Sequence, residues 1–142
     1  MRERFGDAWI HDRTGHLPAA FHIAPKLLWI RAHEPEWFRA ATLALQPRDL
    51  AALALTGEPA TDGTHAAATL VYDLRRGDWD PELLEGLGLA PSLFPPVRPS
   101  AQAIGTIRAA LAAQLNLPPS TQVVIGGADS QACALGAGVV RH

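Results

Sequence analysis

Val123-Val124-Ile125-Gly126-Gly127-Ala128-Asp129-Ser130 is the stretch whose reading decides the fold. Its β-branched residues predict a strand over 121–125. Gly126-Gly127 then makes a tight turn, and small residues predict a helix from Asp129 to Val139. Strand, glycine turn and helix in that order define an α/β unit. Glycines at a strand end let the backbone turn sharply and leave room for a ligand. An acid just after the turn sits near a helix N-terminus, where the positive end of the helix dipole favours a negative charge. Ligands in open α/β sheets bind beyond the carboxyl ends of the strands, and Asp129 falls there. A carboxylate so placed can take a proton from a substrate hydroxyl. The same residues admit a second reading, in which Asp129 or Ser130 only caps the helix.

Upstream of this unit, prolines and glycines cut the chain into short elements. The first 24 residues have weak periodicity and are read as loop with at most one short element. Pro25 is expected to open a helix that Glu34-Pro35 interrupts, and Pro35 to open another. Thr42 to Leu45 reads as a short buried strand, although the segment is too brief to separate strand from helix by period. A helix from Pro47 should stop at Gly57. Thr61-Asp62 reads as a turn or N-cap pair ahead of the alanine-rich stretch from His65 to Ala68. A strand is expected over Leu70 to Leu74, closed by Arg75 to Asp78. Asp80-Pro81 is an N-cap followed by proline at the first helical position. Pro91 to Pro99 reads as an extended connector, Ile104 to Ile107 as a strand edge and Ala109 to Leu115 as a helix.

The composition narrows the partners. In 142 residues, twelve basic against fourteen acidic side chains leave the chain nearly neutral. That gives no electrostatic reason to expect nucleic acid or an anionic membrane. No apolar run reaches the ~18 residues that span a bilayer. The opening residues, Met1 to Asp7, lack the apolar core of a signal peptide. Cys133 is the single cysteine, so a cytoplasmic setting is expected. His11, His16 and His22 have no zinc-like spacing, and no metal site is expected. Trp29, Trp37 and Trp79 are read as packing residues rather than sugar platforms, Arg75-Arg76 as solvated, and Cys133 as packed within its helix.

Several blocks, in order along the chain, resemble the middle of the FGGY family of carbohydrate kinases, in the pattern of its xylulose kinases. Thr14-Gly15 and Ala24-Pro25-Lys26-Leu27-Leu28-Trp29 resemble the family's APKLLW segment, and His33-Glu34-Pro35-Glu36 with Phe38 its HEPEIF stretch. Leu55-Thr56-Gly57-Glu58 and Ala60-Thr61-Asp62 resemble the LTGE-ATD block. Asp73 to Trp79 resembles the D-RDW block, with Leu83-Leu84 and Gly88-Leu89 continuing it. Val123 to Gly138 resembles the segment whose aspartate is the family's general base. The chain departs from the pattern at His65, Ala67 and Ala68, so no role is carried to that helix start. Ser130 stands where relatives commonly have Asn or Thr, which leaves the sugar open.

The resemblance implies an α/β fold, part of a ribonuclease H-like domain of the actin and hexokinase type with helical insertions, over residues 1–142. It implies ATP-dependent phosphorylation of xylulose or a related sugar or polyol, with ATP and Mg2+ as cofactors of the complete enzyme. Asp129 would be the catalytic base, and Asp129 with Ser130 would meet the sugar. The family's N-terminal phosphate-binding strand-turn and its nucleotide domain have no counterpart in these residues. No G-x-x-x-x-G-K-[ST] or G-x-G-x-x-G replaces them. The chain alone is therefore expected to be inactive, with the missing kinase parts or a second copy as partners. The alternative is a truncated, non-catalytic binding or interaction module.

Overall fold

The structure, a computed structural model, describes residues 1–139. In chain order its first elements are α1 (Arg2–Phe5), α2 (Asp7–Thr14), α3 (Ile23–His33), α4 (Pro35–Ala40) and α5 (Pro47–Thr56). β1 (Thr61–Asp62), α6 (Gly63–Ala67), β2 (Tyr72–Asp73), β3 (Asp78–Trp79) and α7 (Pro81–Leu87) follow. A 3-10 turn at Pro91–Leu93 precedes β4 (Val97–Arg98), β5 (Ala103–Thr106), α8 (Ala109–Gln114), β6 (Gln122–Val124) and α9 (Asp129–Gly136). The chain divides into two compact units, Met1–Ala44 with Ala66–Pro95, and Leu45–His65 with Pro96 onward.

The first unit is helical around an apolar core. Ile10, Leu70, Val71, Leu83 and Leu84 are fully or almost fully buried there. Each such side chain contributes about 1.5–3 kcal/mol relative to exposure. The core explains why the opening residues are helical rather than loop. Ile10 and the partly buried Phe5 and Trp9 pack against it, and tertiary burial outweighs their weak periodicity. Pro35 opens α4 as its position predicts. Thr42 to Leu45 forms no strand: Ala44 N–H donates to Leu93 O at 2.7 Å, without a ladder around it.

The strand expected over Leu70 to Leu74 is shorter. β2 pairs antiparallel with β3 as a hairpin, Tyr72 opposite Trp79. Leu70, fully buried, has φ +67°, outside the extended region, so the strand cannot begin there. Asp80 performs the capping its sequence suggests. Its Oδ1 accepts from Glu82 N–H at 2.9 Å and Leu83 N–H at 3.1 Å at the start of α7. Its Oδ2 accepts from Arg13 Nη1 at 2.9 Å, and the Arg13 guanidinium lies 4.0 Å over the Trp9 ring.

The second unit holds two small sheets. β1 pairs parallel with β4, Thr61 opposite Val97 and Asp62 opposite Arg98. The expected connector over Pro91 to Pro99 thus contains both the 3-10 turn and β4. β5 pairs antiparallel with β6, with an irregularity between Ala103 and Gly105. α5 begins at Pro47 and stops at Gly57, whose φ of +89° makes it a left-handed cap. The face of α5 that turns inward carries Asp49 and Ala52, while Leu50 is exposed. A buried acid at that position calls for a partner.

Candidate functional site

The turn after β6 is set by one glycine rather than two. Gly126 has φ +76°, a conformation that costs other residues strain. Gly127 has no such requirement, and a Cβ built on it would meet only ordinary contacts at 3.7 Å, to Ser100 Oγ and Thr64 Oγ1. Ala128, with φ −68° and ψ 152°, is the N-cap of α9 and brings no side-chain cap. Asp129 is the first helical residue and is exposed. Its Oδ1 accepts from Ser130 N–H at 2.7 Å, and Ser130 Oγ is 2.7 Å from Gln131 Oε1. Asp129 and Ser130 thus stand together at the start of α9, on the open side of the turn.

What holds this turn is a cluster that the sequence reading did not single out. Arg48 Nη1 donates to the carbonyls of Ile125 and Gly126, both at 2.6 Å. Arg48 Nη2 lies 2.7 Å from Asp62 Oδ1 and 3.0 Å from Asp49 Oδ1. Asp62 is fully buried. Its Oδ2 accepts from Ser100 Oγ and Thr64 Oγ1, each at 2.7 Å, and from Thr64 N–H at 3.1 Å. Its Oδ1 accepts from His65 N–H at 3.3 Å, which makes good the capping role expected of Thr61-Asp62. Thr64 Oγ1 also accepts from Ala128 N–H at 2.7 Å. Gly126 N–H donates to Ser100 O at 2.9 Å.

The two buried acids are driven in opposite directions. Burial pushes the Asp62 carboxyl up, yet the hydrogen bonds from Ser100 and Thr64 and from the Thr64 and His65 amides outweigh it. They hold Asp62 well below the usual carboxylate range. Burial pushes Asp49 up, and the neighbouring Arg48 charge does not overcome it. Thr64 offers a sequence signal in retrospect: Asp-x-Thr at a helix start lets one carboxylate take both the amide and the hydroxyl. Arg48 and Ser100 carry no local signal, because their partners are 77 and 38 residues away.

The remaining candidates lie elsewhere. His16 and His22 have ring centroids 5.3 Å apart, and His22 Nδ1 is 2.8 Å from Ala68 O. Among the described residues no group of three His, Cys, Asp or Glu is gathered to hold a metal. Trp79 packs as expected, its Nε1 donating to Pro95 O at 2.9 Å. Trp37 is 75% exposed and Trp29 stacks on His33 at 4.4 Å, so neither lies in the core. Arg75 pairs with Asp12 at 2.5 Å, both largely solvated. Cys133, expected to pack, is exposed because α9 buries none of its residues in this chain. Among the described residues no helix is long and apolar enough to cross a membrane.

This is an α/β domain that presents a carboxylate on a braced glycine turn at the start of a helix. The sequence matches the FGGY family of carbohydrate kinases, N-terminal domain, over residues 1–136, and the chain belongs to that family. It is 32% identical to the xylulose kinase of Bacillus subtilis (strain 168) over 140 residues, which are 99% of this chain and 28% of that protein. It is 37% identical to the autoinducer-2 kinase of Enterobacter sp. (strain 638) over 132 residues, 93% of this chain and 25% of that protein. The crystal structure of a ligand-bound xylulose kinase from Lactobacillus acidophilus superimposes with a TM-score of 0.90 at 26% identity, over 96% of this chain and 28% of that one. The fold is therefore part of a ribonuclease H-like domain of the actin and hexokinase type, as the family resemblance implies. The chain spans about a quarter of the length of these relatives.

Proposed function

We propose that this chain is the acceptor-side part of an ATP-dependent carbohydrate kinase, and that Asp129 is the base that takes the proton from the attacking sugar hydroxyl. The observation that carries this reading is the exposed Asp129 carboxylate at the start of α9, on a turn whose backbone is fixed from behind. Its Oδ1 accepts from Ser130 N–H, which orients the group without neutralising it. Among the described residues no ion pair engages Asp129, so it is open to a substrate. Ser130, beside it, offers a hydroxyl to the sugar. Xylulose is the first sugar to test, because xylulose kinases are among the relatives on both sequence and structure. Autoinducer-2 kinases are among them too, so a related polyol is the next.

Mg-ATP in the complete enzyme supplies the phosphoryl group and neutralises charge as it transfers. Because this chain matches the N-terminal domain and only about a quarter of the length of its relatives, we place nucleotide and Mg2+ on the kinase sequence that it does not cover. What this chain contributes is the position of the acceptor and the removal of its proton.

The test is a composite kinase, in which this chain replaces the matching segment of the Bacillus subtilis xylulose kinase. Sugar-dependent ADP release in a coupled assay is expected. A folded composite that binds Mg-ATP but turns over no sugar would overturn the reading.

A further inference from the structure

We propose that Arg48, anchored by Asp62, is a positioning residue that sets the height and direction of the 125–128 turn and so holds Asp129 at its working place. The inference rests on the reading of Asp129 as the base, and deepens it. A turn containing two glycines has more conformational freedom to lose than any other. Ala128 O accepts from Ala132 N–H at 3.0 Å, but among the described residues no backbone hydrogen bond fixes the carbonyls of Ile125 and Gly126. The fork of a single guanidinium does so instead, with Nη1 at 2.6 Å from both the Ile125 and the Gly126 oxygens. Such a charge-assisted fork is geometrically stricter than an ammonium.

The fork is itself held. Nη2 faces the fully buried Asp62 at 2.7 Å, and Asp62 fixes Thr64 and Ser100 at 2.7 Å each. Those two residues then meet the turn from its other side, Thr64 Oγ1 taking the Ala128 amide and Ser100 O the Gly126 amide. Both the carbonyl and the amide faces of the segment before Asp129 are thereby pinned to one carboxylate–guanidinium pair. The arrangement is not one that stability alone favours. Arg48 Nε is buried without a hydrogen-bond partner among the described residues, a cost that structures seldom retain without a use.

Two measurements test the proposal. The first is amide hydrogen exchange on the full 142-residue chain carrying Arg48→Met. Exchange at Gly126 and Ala128 is expected to rise about tenfold or more while Val71 and Leu84 amides are unchanged. Unchanged protection at Gly126 and Ala128 overturns the brace. Should Arg48→Met release the whole second unit, Thr64→Val decides, since it removes one hydroxyl at constant shape. Faster exchange at Ala128 supports the brace, and none overturns it.

The second is a double-mutant cycle on turnover in the composite kinase. Arg48→Met is expected to lower kcat about 10- to 100-fold with the sugar KM nearly unchanged, the cost of a displaced reacting group. Acting through Asp129, it should add little further loss on top of Asp129→Asn. Independent, multiplying losses would show that Arg48 works elsewhere and sink the positioning role. If Asp129→Asn alone keeps normal turnover, the base assignment fails, while the exchange result still decides whether the brace exists.

Discussion

Ser100 Oγ donates to Asp62 Oδ2 at 2.7 Å, closing a contact between residues 38 positions apart. With the Thr64 hydroxyl and two backbone amides it outweighs burial and keeps the Asp62 carboxyl below its usual range. The native state then holds this proton less readily than the unfolded chain. Stability carried by Asp62 is therefore complete above the ordinary carboxylate value of about 4 and is lost as pH falls below it. Asp49, pushed up by burial, acts in the opposite sense: it weakens the fold as pH rises through the same region. Asp62→Asn should cost about 3 kcal/mol at neutral pH, because it leaves Arg48 facing a lost charge. It should also flatten the acid limb. Urea melts at neutral pH and at successive steps below pH ~4 test this; an unchanged pH slope in the variant would refute it.

The two glycines of the turn should respond differently. Gly126→Ala forces a side chain to φ +76° and should cost about 1–2 kcal/mol, although a Cβ there meets nothing within 4 Å. Gly127→Ala meets Ser100 and Thr64 only at 3.7 Å and should stay within about 0.5 kcal/mol. Chemical melts of the two variants side by side check the contrast. Equal losses would mean that space, not backbone conformation, selects glycine.

Asp129→Asn in the composite kinase separates catalysis from capping. Asparagine keeps the size and hydrogen-bonding ability but cannot accept the proton. Removal of a general base costs about 10²–10⁴ in rate, whereas asparagine is as good a helix cap as aspartate. The melting temperature should barely move while turnover collapses. Near-normal turnover would remove Asp129 from the mechanism.

The 142-residue chain alone should show no sugar-dependent ADP release with xylulose and Mg-ATP. Phosphoryl transfer rests on positioning and charge neutralisation, and this chain matches only about a quarter of the length of its kinase relatives. Turnover of about 1 per second or more by the chain alone would contradict this.

In the first unit, Asp80→Ala removes two amide caps of α7 and the partner of Arg13. A loss of about 2 kcal/mol is expected, mostly from the caps, because Arg13 remains partly solvated and regains water. A calorimetric melt reads it directly. No change would mean that α7 is held by its buried leucines alone.

Where the sequence was legible, the signals were local. Pro47 and Gly57 bound α5 and Gly126 turns the chain ahead of α9 through their own backbone preferences, and Asp80-Pro81 starts α7 through a side-chain cap on amides two and three positions on. Where it misled, tertiary burial was the cause. The opening helices carry weak periodicity and form because Ile10 enters a core completed by Leu83 and Leu84. Thr42 to Leu45 looks like a strand but meets no partner strand to ladder with.

The sequence by itself determined the elements at Pro47, Asp80 and Gly126, the nearly neutral charge and the motif blocks that mark the family. All of these depend on residue identity or on neighbours within a few positions. Only the tertiary structure decided that Arg48, Asp62, Thr64 and Ser100 meet behind the turn before Asp129. Arg48 reaches its carbonyl partners across 77 and 78 residues, and a guanidinium's choice of acceptor is fixed by folded geometry, which no local pattern encodes.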